Sequence, residues 1–372
     1  MTVLAVPSPP AAPQPVAALH RPQLDALRAL AVIPVLLVHF WPTLPSLGQE
    51  AVRLFFVISG FLITLQLLDG RAALAAPAAA NGRWRVIGRF VARRALRILP
   101  VYYLVLVLLA LANAPDVRRD FALHAAYASN LLAAARDDWG AAPTAHLWSL
   151  ATEEQFYLVW PLLVLWLPRH VLLLVVVAAI GLAPAVRVAL LAGMAHAGEA
   201  PIALWVLPPT SLDALGFGAL LALWRDDAPT RGRLRRAGVV AFVLWLVATL
   251  LVHWGDVRAL AIPNLTVVPV LWALACCALV DAAWRGIPGA AGAVLDSRAL
   301  GYLGRISYGI YLYHLPAHWA ASVAAQRLHL PMPGGEPATF VLGSVLAIAV
   351  AALSWHAFEQ PINRLKRHWP LA

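Results

Sequence analysis

Ten mainly apolar stretches follow one another along the chain, each of the roughly 18 to 25 residues that a helix needs to cross a bilayer. Their approximate limits are 24 to 41, 51 to 69, 95 to 112, 149 to 167, 171 to 192, 203 to 224, 237 to 254, 264 to 283, 299 to 325 and 339 to 359. Lipid leaves such a chain little choice. Every backbone N–H and C=O at membrane depth must be satisfied within its own segment, and a helix does that. The sequence therefore predicts an all-α polytopic membrane protein with about ten transmembrane helices. Composition agrees, since 62% of the residues are hydrophobic and 12% charged, against the roughly 25% charged residues of a soluble domain. Pro208, Pro209 and Asp213 interrupt the sixth stretch. The longest gap, 113 to 148, is too short for a soluble domain, and no internal repeat relates the two halves.

The formal charge of +10 would suggest nucleic acid in a soluble protein. Here the cations sit between apolar segments, which is the footprint of topology. With the N-terminus in the cytoplasm, 19 of the 28 Lys and Arg fall inside, five outside and four within spans. Both termini are expected to be cytoplasmic. Residues 1–20 are Pro/Ala-rich without a basic leader or a long apolar core, so they read as a disordered tail and not a signal peptide. The membrane domain is expected over 21–365, with a cytoplasmic tail at 366–372. Cys276 and Cys277 are adjacent in an apolar run and read as small hydrophobes; no metal or cofactor site is expected.

Ionisable residues at membrane depth are costly and mark function. Arg28 and His39 lie in "LDALRALAVIPVLLVHF", and eleven residues at 100° each place them on nearly one helix face, roughly 16 Å apart along the axis. Pro34 between them is expected to kink the helix. Arg28 is then near the inner end and His39 in the outer third, although snorkelling and capping would also explain them. Glu153 and Glu154 in "HLWSLATEEQFYLVWPLL" fall at a similar depth to His39, so at least one should face a polar cavity or a base such as His39 or Arg53. His146 and Ser149 open the same segment. In "LGRISYGIYLYHLP", Ser307, Tyr311 and His314 share a helix face; such residues also serve as helix-helix glue. Arg94 and Arg97 in "GRFVARRALRILPVYY" are i, i+3 neighbours at the start of the third span, suited to gripping phosphate.

These motifs in this order resemble the membrane-bound acyltransferase family 3, acyl-CoA-dependent O-acyltransferases of bacterial polysaccharides and macrolides. The likeness also takes in "RLFFVISGFLIT" and "FEQPINR" and covers residues 22 to 365. The resemblance implies that Arg28 and His39 are the essential pair, that Arg94 and Arg97 contact acyl-CoA, and that Glu153 or Glu154 is the acid near the acceptor. Arg53 departs from the aspartate often found before "LFFVISGF" and receives no role. Some members append an extracellular SGNH-type esterase domain, and this sequence is similar to the stand-alone form.

The resulting expectation is an enzyme of a bacterial inner membrane that moves an acyl group, expected to be acetyl, from cytoplasmic acyl-CoA to a hydroxyl of a sugar, cell-surface glycan or glycosylated metabolite. His39 would act as general base, with a glutamate fixing its tautomer. Acyl-CoA is a substrate, and no other cofactor is expected. The acceptor entrance is expected on the face shared by Ser149 and Glu153, with Glu154 turned to a neighbouring helix. A secondary transporter or flippase would also carry mid-membrane ionisable groups, but the candidates here are concentrated in the first 160 positions and no paired halves appear.

Overall fold

The computed structural model describes residues 21–44, 47–74, 82–193, 200–254, 261–332 and 334–369. The stretch 1–20, expected as a tail, lies outside the described residues. Among the described residues the regular structure is entirely helical.

The long helices are α1 (Pro22–Phe40), α2 (Gly48–Ala73) and α3 (Gly82–Leu111). Two short helices follow, α4 (Phe121–Ala125) and α5 (Ser129–Arg136), and then α6 (Leu147–Trp166) and α7 (Arg169–Gly193). The sixth expected span is broken into α8 (Ala203–Val206), a 3₁₀ turn at Pro208–Ser211 and α9 (Leu212–Leu223). The two prolines explain the break, because neither can donate to a helical ladder. The twelve-residue α9 rises only about 18 Å, too little to cross a hydrocarbon core of roughly 30 Å. Beyond it come α10 (Ala228–Trp254), α11 (Ala261–Thr266), α12 (Val268–Arg285), α13 (Gly289–Leu295), α14 (Arg298–Arg305), α15 (Ser307–Arg327), α16 (Glu336–Ser354) and α17 (Gln360–Arg364). A π-turn at Trp355–Glu359 joins α16 to α17.

Seven described helical runs are long and apolar enough to span: α1, α2, α3, α7, α10, α12 and the run that begins with α16. At 20 and 21 residues, α6 and α15 have the length. They miss on polarity, because they carry Glu153, Glu154, Ser307 and His314. Their polar faces are covered by other helices, which is where a membrane protein places such groups. The helix α1 continues through Pro34 without interruption. Residues 366–369 are docked: Arg93 on α3 donates to the carbonyls of Trp369 (3.1 Å) and Lys366 (3.3 Å).

At the centre, α2 packs against α9 with backbones nearly touching. A Cβ on Gly60 would stand 2.2 Å from the Leu215 carbonyl oxygen, and one on Gly218 2.2 Å from that of Val57. Without a hydrophobic drive between helices in lipid, association rests on such close approach. Gly218→Val should therefore force the pair apart and cost about 1–3 kcal/mol or more. Thermal unfolding of the detergent-purified variant measures this, and an unchanged midpoint would mean that the two helices separate freely.

Next to this contact lies a buried ionic cluster. Asp213 on α9, fully buried, meets Arg187 of α7 at 2.7 Å and Arg53 of α2 at 2.5 Å. Arg187 also donates to the carbonyls of Thr210 and, at 3.0 Å, Thr266, while Arg53 reaches the Pro269 carbonyl at 3.2 Å. Arg53, given no role from sequence, thus ties α2 to α9 and α12, and it pairs with Asp213 and not with either glutamate of α6.

Candidate functional site

The cationic end of the site is assembled from three parts of the chain. One cavity, of about 220 Å³, is lined by Arg21 and Arg28 of α1 and its approach, by Arg93, Arg94 and Arg97 of α3, and by Lys366. Asp25 is the acid among them, and it pairs with Arg28 at 2.9 Å. On α3 the spacing i, i+1, i+4 turns Arg93, Arg94 and Arg97 towards α1. The docked C-terminal turn brings Lys366 to the same wall. Arg21, Arg93 and Lys366 were counted in the sequence only as cations on one side of the membrane. Their convergence needed the fold, since Lys366 is 273 residues from Arg93.

Arg28, Arg94 and Arg97 also line a second cavity, and here both glutamates appear. Glu153 accepts from Ser59 Oγ at 2.8 Å, and the Arg94 guanidinium lies 5.1 Å from the Tyr157 ring centroid. The expectation that Glu153 faces an acceptor entrance while Glu154 faces a helix is not met, because both open onto this arginine-bearing space. The cavity lies between α1, α2, α3, α6 and α15 and is wide enough to take both side chains across their 100° separation. Ser307 and Tyr311 line the same cavity.

His39 lies beyond it, on a cavity of about 630 Å³ that also touches His146, Arg53 and Arg187. The imidazole Nδ1 of His39 is 2.8 Å from the Val35 carbonyl. A carbonyl only accepts, so Nδ1 carries the hydrogen and Nε2 of the neutral ring has the lone pair. The tautomer is set by the helix backbone of α1, which corrects the expectation that a glutamate sets it. Behind His39, the fully buried His314 is in edge contact with it (centroids 4.8 Å apart), and His146 is in edge contact with His314 (4.8 Å). His314 donates from Nδ1 to Tyr311 O at 2.6 Å, and His146 from Nε2 to Leu312 O at 3.1 Å. His314 supports the ring of His39 and does not line the cavity. Among the described residues no His, Cys, Asp and Glu grouping has the geometry to hold a metal.

Between the glutamate and histidine cavities stand Val52 and Tyr311, which line both. The Tyr311 hydroxyl and Ser149 Oγ are 2.5 Å apart, and Tyr311 also donates to the His146 carbonyl at 3.2 Å. Ser149 was expected at the rim of an acceptor entrance. It is buried at this partition instead, because the segment between α3 and α6 folds over the start of α6 as a cap. Asn130 and Gln155 exchange amide hydrogen bonds (3.0 Å each), and Asp137 accepts from the Ile202 N–H (2.8 Å). Under the cap is a fourth cavity, which shares Trp139, Ala145 and Trp148 with the histidine cavity. The four spaces thus follow one another from the arginines, past the glutamates and Tyr311, past His39, to the cap.

Comparison with known proteins places the chain in a family. Residues 21–356 match the family description "Acyltransferase domain". YrhL of Bacillus subtilis, to which peptidoglycan O-acetylation is ascribed, is 30% identical over 371 residues, 92% of this chain and 55% of that protein. The peptidoglycan O-acetyltransferase OatA of Listeria monocytogenes is 28% identical over 380 residues, 92% of this chain and 56% of that protein. The chain spans about half the length of these curated relatives. No solved structure matches. With residues 21–356 matched by that family model, the chain belongs to the acyltransferase-domain family.

Proposed function

We propose that the protein carries an acetyl group from cytoplasmic acetyl-CoA to a saccharide hydroxyl on the far side of a bacterial inner membrane. The observation that carries this reading is the row of cavities, with a strongly cationic chamber at one end and His39 in the larger chamber further on. The bias of Lys and Arg favours the arginine end as cytoplasmic. The CoA phosphates then rest against Arg93, Arg94, Arg97 and Lys366, where charge-assisted hydrogen bonds are strong. The pantetheine arm extends past Glu153 and Glu154 and slips by Val52 and Tyr311, so that the thioester lies beside His39.

The chemistry is a single displacement. His39 Nε2 removes the proton of the acceptor hydroxyl as its oxygen attacks the thioester carbonyl carbon. The tetrahedral intermediate collapses with cleavage of the carbon–sulfur bond. The proton held by His39 passes to the departing CoA thiolate, and products are CoA thiol and the ester. Holding thioester and hydroxyl in one small chamber supplies the proximity that such a step needs.

Purified protein in detergent, given acetyl-CoA and a soluble saccharide, should release free thiol and yield acetylated sugar in equal amounts. Thiol release without acetylated sugar would leave only a hydrolase, and neither product would favour a transporter. Replacing Arg94 and Arg97 together with Gln should raise the KM for acetyl-CoA by about 10- to 100-fold, from loss of two contacts to phosphate. The KM for the saccharide should stay within about twofold, because the acceptor never meets those side chains. Equal rises in both constants would assign these arginines to topology alone.

A further inference from the structure

The cap cavity has a chemistry of its own. It encloses about 460 Å³, within the roughly 300–1,000 Å³ range of small-ligand sites. Its walls carry two indoles, Trp139 and Trp148, with ring centroids 6.2 Å apart, and Trp139 leaves 39% of its surface exposed. Around them stand Arg119, Arg136, Asp120 and Asp138. Arg136 places Nη1 and Nη2 at 2.6 and 2.7 Å from the two Asp120 oxygens, and Arg119 adds Nη2 at 2.9 Å. These two guanidiniums hold the Asp120 carboxyl far below the usual carboxylate range, Arg136 contributing more. Asp120 therefore stays ionised at any physiological pH and locks the guanidinium plane of Arg136, two of whose five donors it uses. Asp138 Oδ1 accepts from the Gly140 N–H at 3.1 Å, which fixes the turn carrying Trp139.

Taking this proposed acyl transfer as its premise, we infer that the cap cavity is the acceptor subsite and that it holds a pyranose ring against Trp139. A sugar ring has an apolar C–H face and a rim of hydroxyls that both donate and accept. An exposed indole matches the first, and fixed Arg and Asp side chains match the second. The charges exclude the other substrate class. Arg119 and Arg136 face Asp116, Asp120 and Asp138, so the lining has no excess of cations for a polyphosphate, in contrast to the arginine cavity. The same charged walls reject an acyl tail. Trp139 and Trp148 belong also to the histidine cavity, so a ring seated under the cap presents its hydroxyl towards His39. The hydrogen bonds that hold Arg136 and the Trp139 turn in place lower the ordering cost of binding.

The test uses the full chain in detergent with three soluble probes, chitotetraose, cellotetraose and maltotetraose, and reads saccharide binding by calorimetry and acetyl-CoA kinetics by thiol release. At least one probe should bind the unaltered protein. Trp139→Ala should weaken that binding by about tenfold, and Trp139→Phe, which keeps an aromatic face, should restore most of it. The KM for acetyl-CoA should remain within about twofold in both variants. The inference is overturned if none of the three saccharides binds, if Trp139→Ala binds as tightly as the parent, or if KM for acetyl-CoA rises in step with the saccharide constant. Saccharide binding that depends on Trp139 without any acetyl transfer would keep the subsite and defeat the acyl-CoA reading, so the two fail separately.

Discussion

Replacing His39 with alanine is expected to reduce acetyl transfer about 10³-fold, in the middle of the range for loss of a general base, while leaving the unfolding midpoint nearly where it was. The reason lies in how His39 is held. Its side chain is open to the histidine cavity, and its described hydrogen bond is one contact from Nδ1 to the Val35 carbonyl on its own helix. That carbonyl keeps its place in the α1 ladder when the ring is removed, so little structure depends on it. His314 is the informative control. It is fully buried between His39 and His146, and His314→Ala should lower both activity and stability, because it opens a cavity among packed rings. A His39→Ala protein that keeps a tenth or more of its activity would remove His39 from the proton transfer. One that melts many degrees lower would make it a packing residue.

His39 could be picked out in the sequence because a lone imidazole in an apolar run is expensive and conspicuous, and Arg28, Arg94 and Arg97 were visible for the same reason. Glu153 and Glu154 were visible as a pair, but helical rotation could not divide their roles. A cavity between five helices can take side chains 100° apart, as this one does. The chambers themselves were not legible. Lys366 reaches the arginines through a C-terminal turn whose docking on α3 no local pattern specifies. The cap over α6 looked like a connecting loop, since five- and eight-residue helices leave no periodic signal. Its indole, Trp139, and its charged residues acquire meaning only when the segment folds back on α6.

Asp213 was read from sequence as an interruption of a span, and the fold makes it the largest single contribution to be tested. It is the carboxylate that both Arg53 and Arg187 meet, and the three side chains are 9%, 1% and 0% exposed for Arg53, Arg187 and Asp213. Removing one partner of a buried ion pair leaves an uncompensated charge and costs about 3–5 kcal/mol, and here two guanidiniums lose the same partner. Asp213→Ala should therefore give little folded protein after extraction. Asp213→Asn separates charge from shape: the amide keeps the size and one acceptor oxygen, yet it should be nearly as damaging because the lost term is electrostatic. Arg187→Met combined with Asp213→Leu removes one cation along with the anion and should recover part of the loss. Recovery stays partial because the carbonyls of Thr210 and Thr266 lose their donor and Arg53 keeps its charge. The measurement is the unfolding midpoint and extraction yield of the three variants side by side. An Asp213→Asn protein that melts with the parent would show that the arginines find compensation elsewhere, most directly from water in the histidine cavity that both of them line.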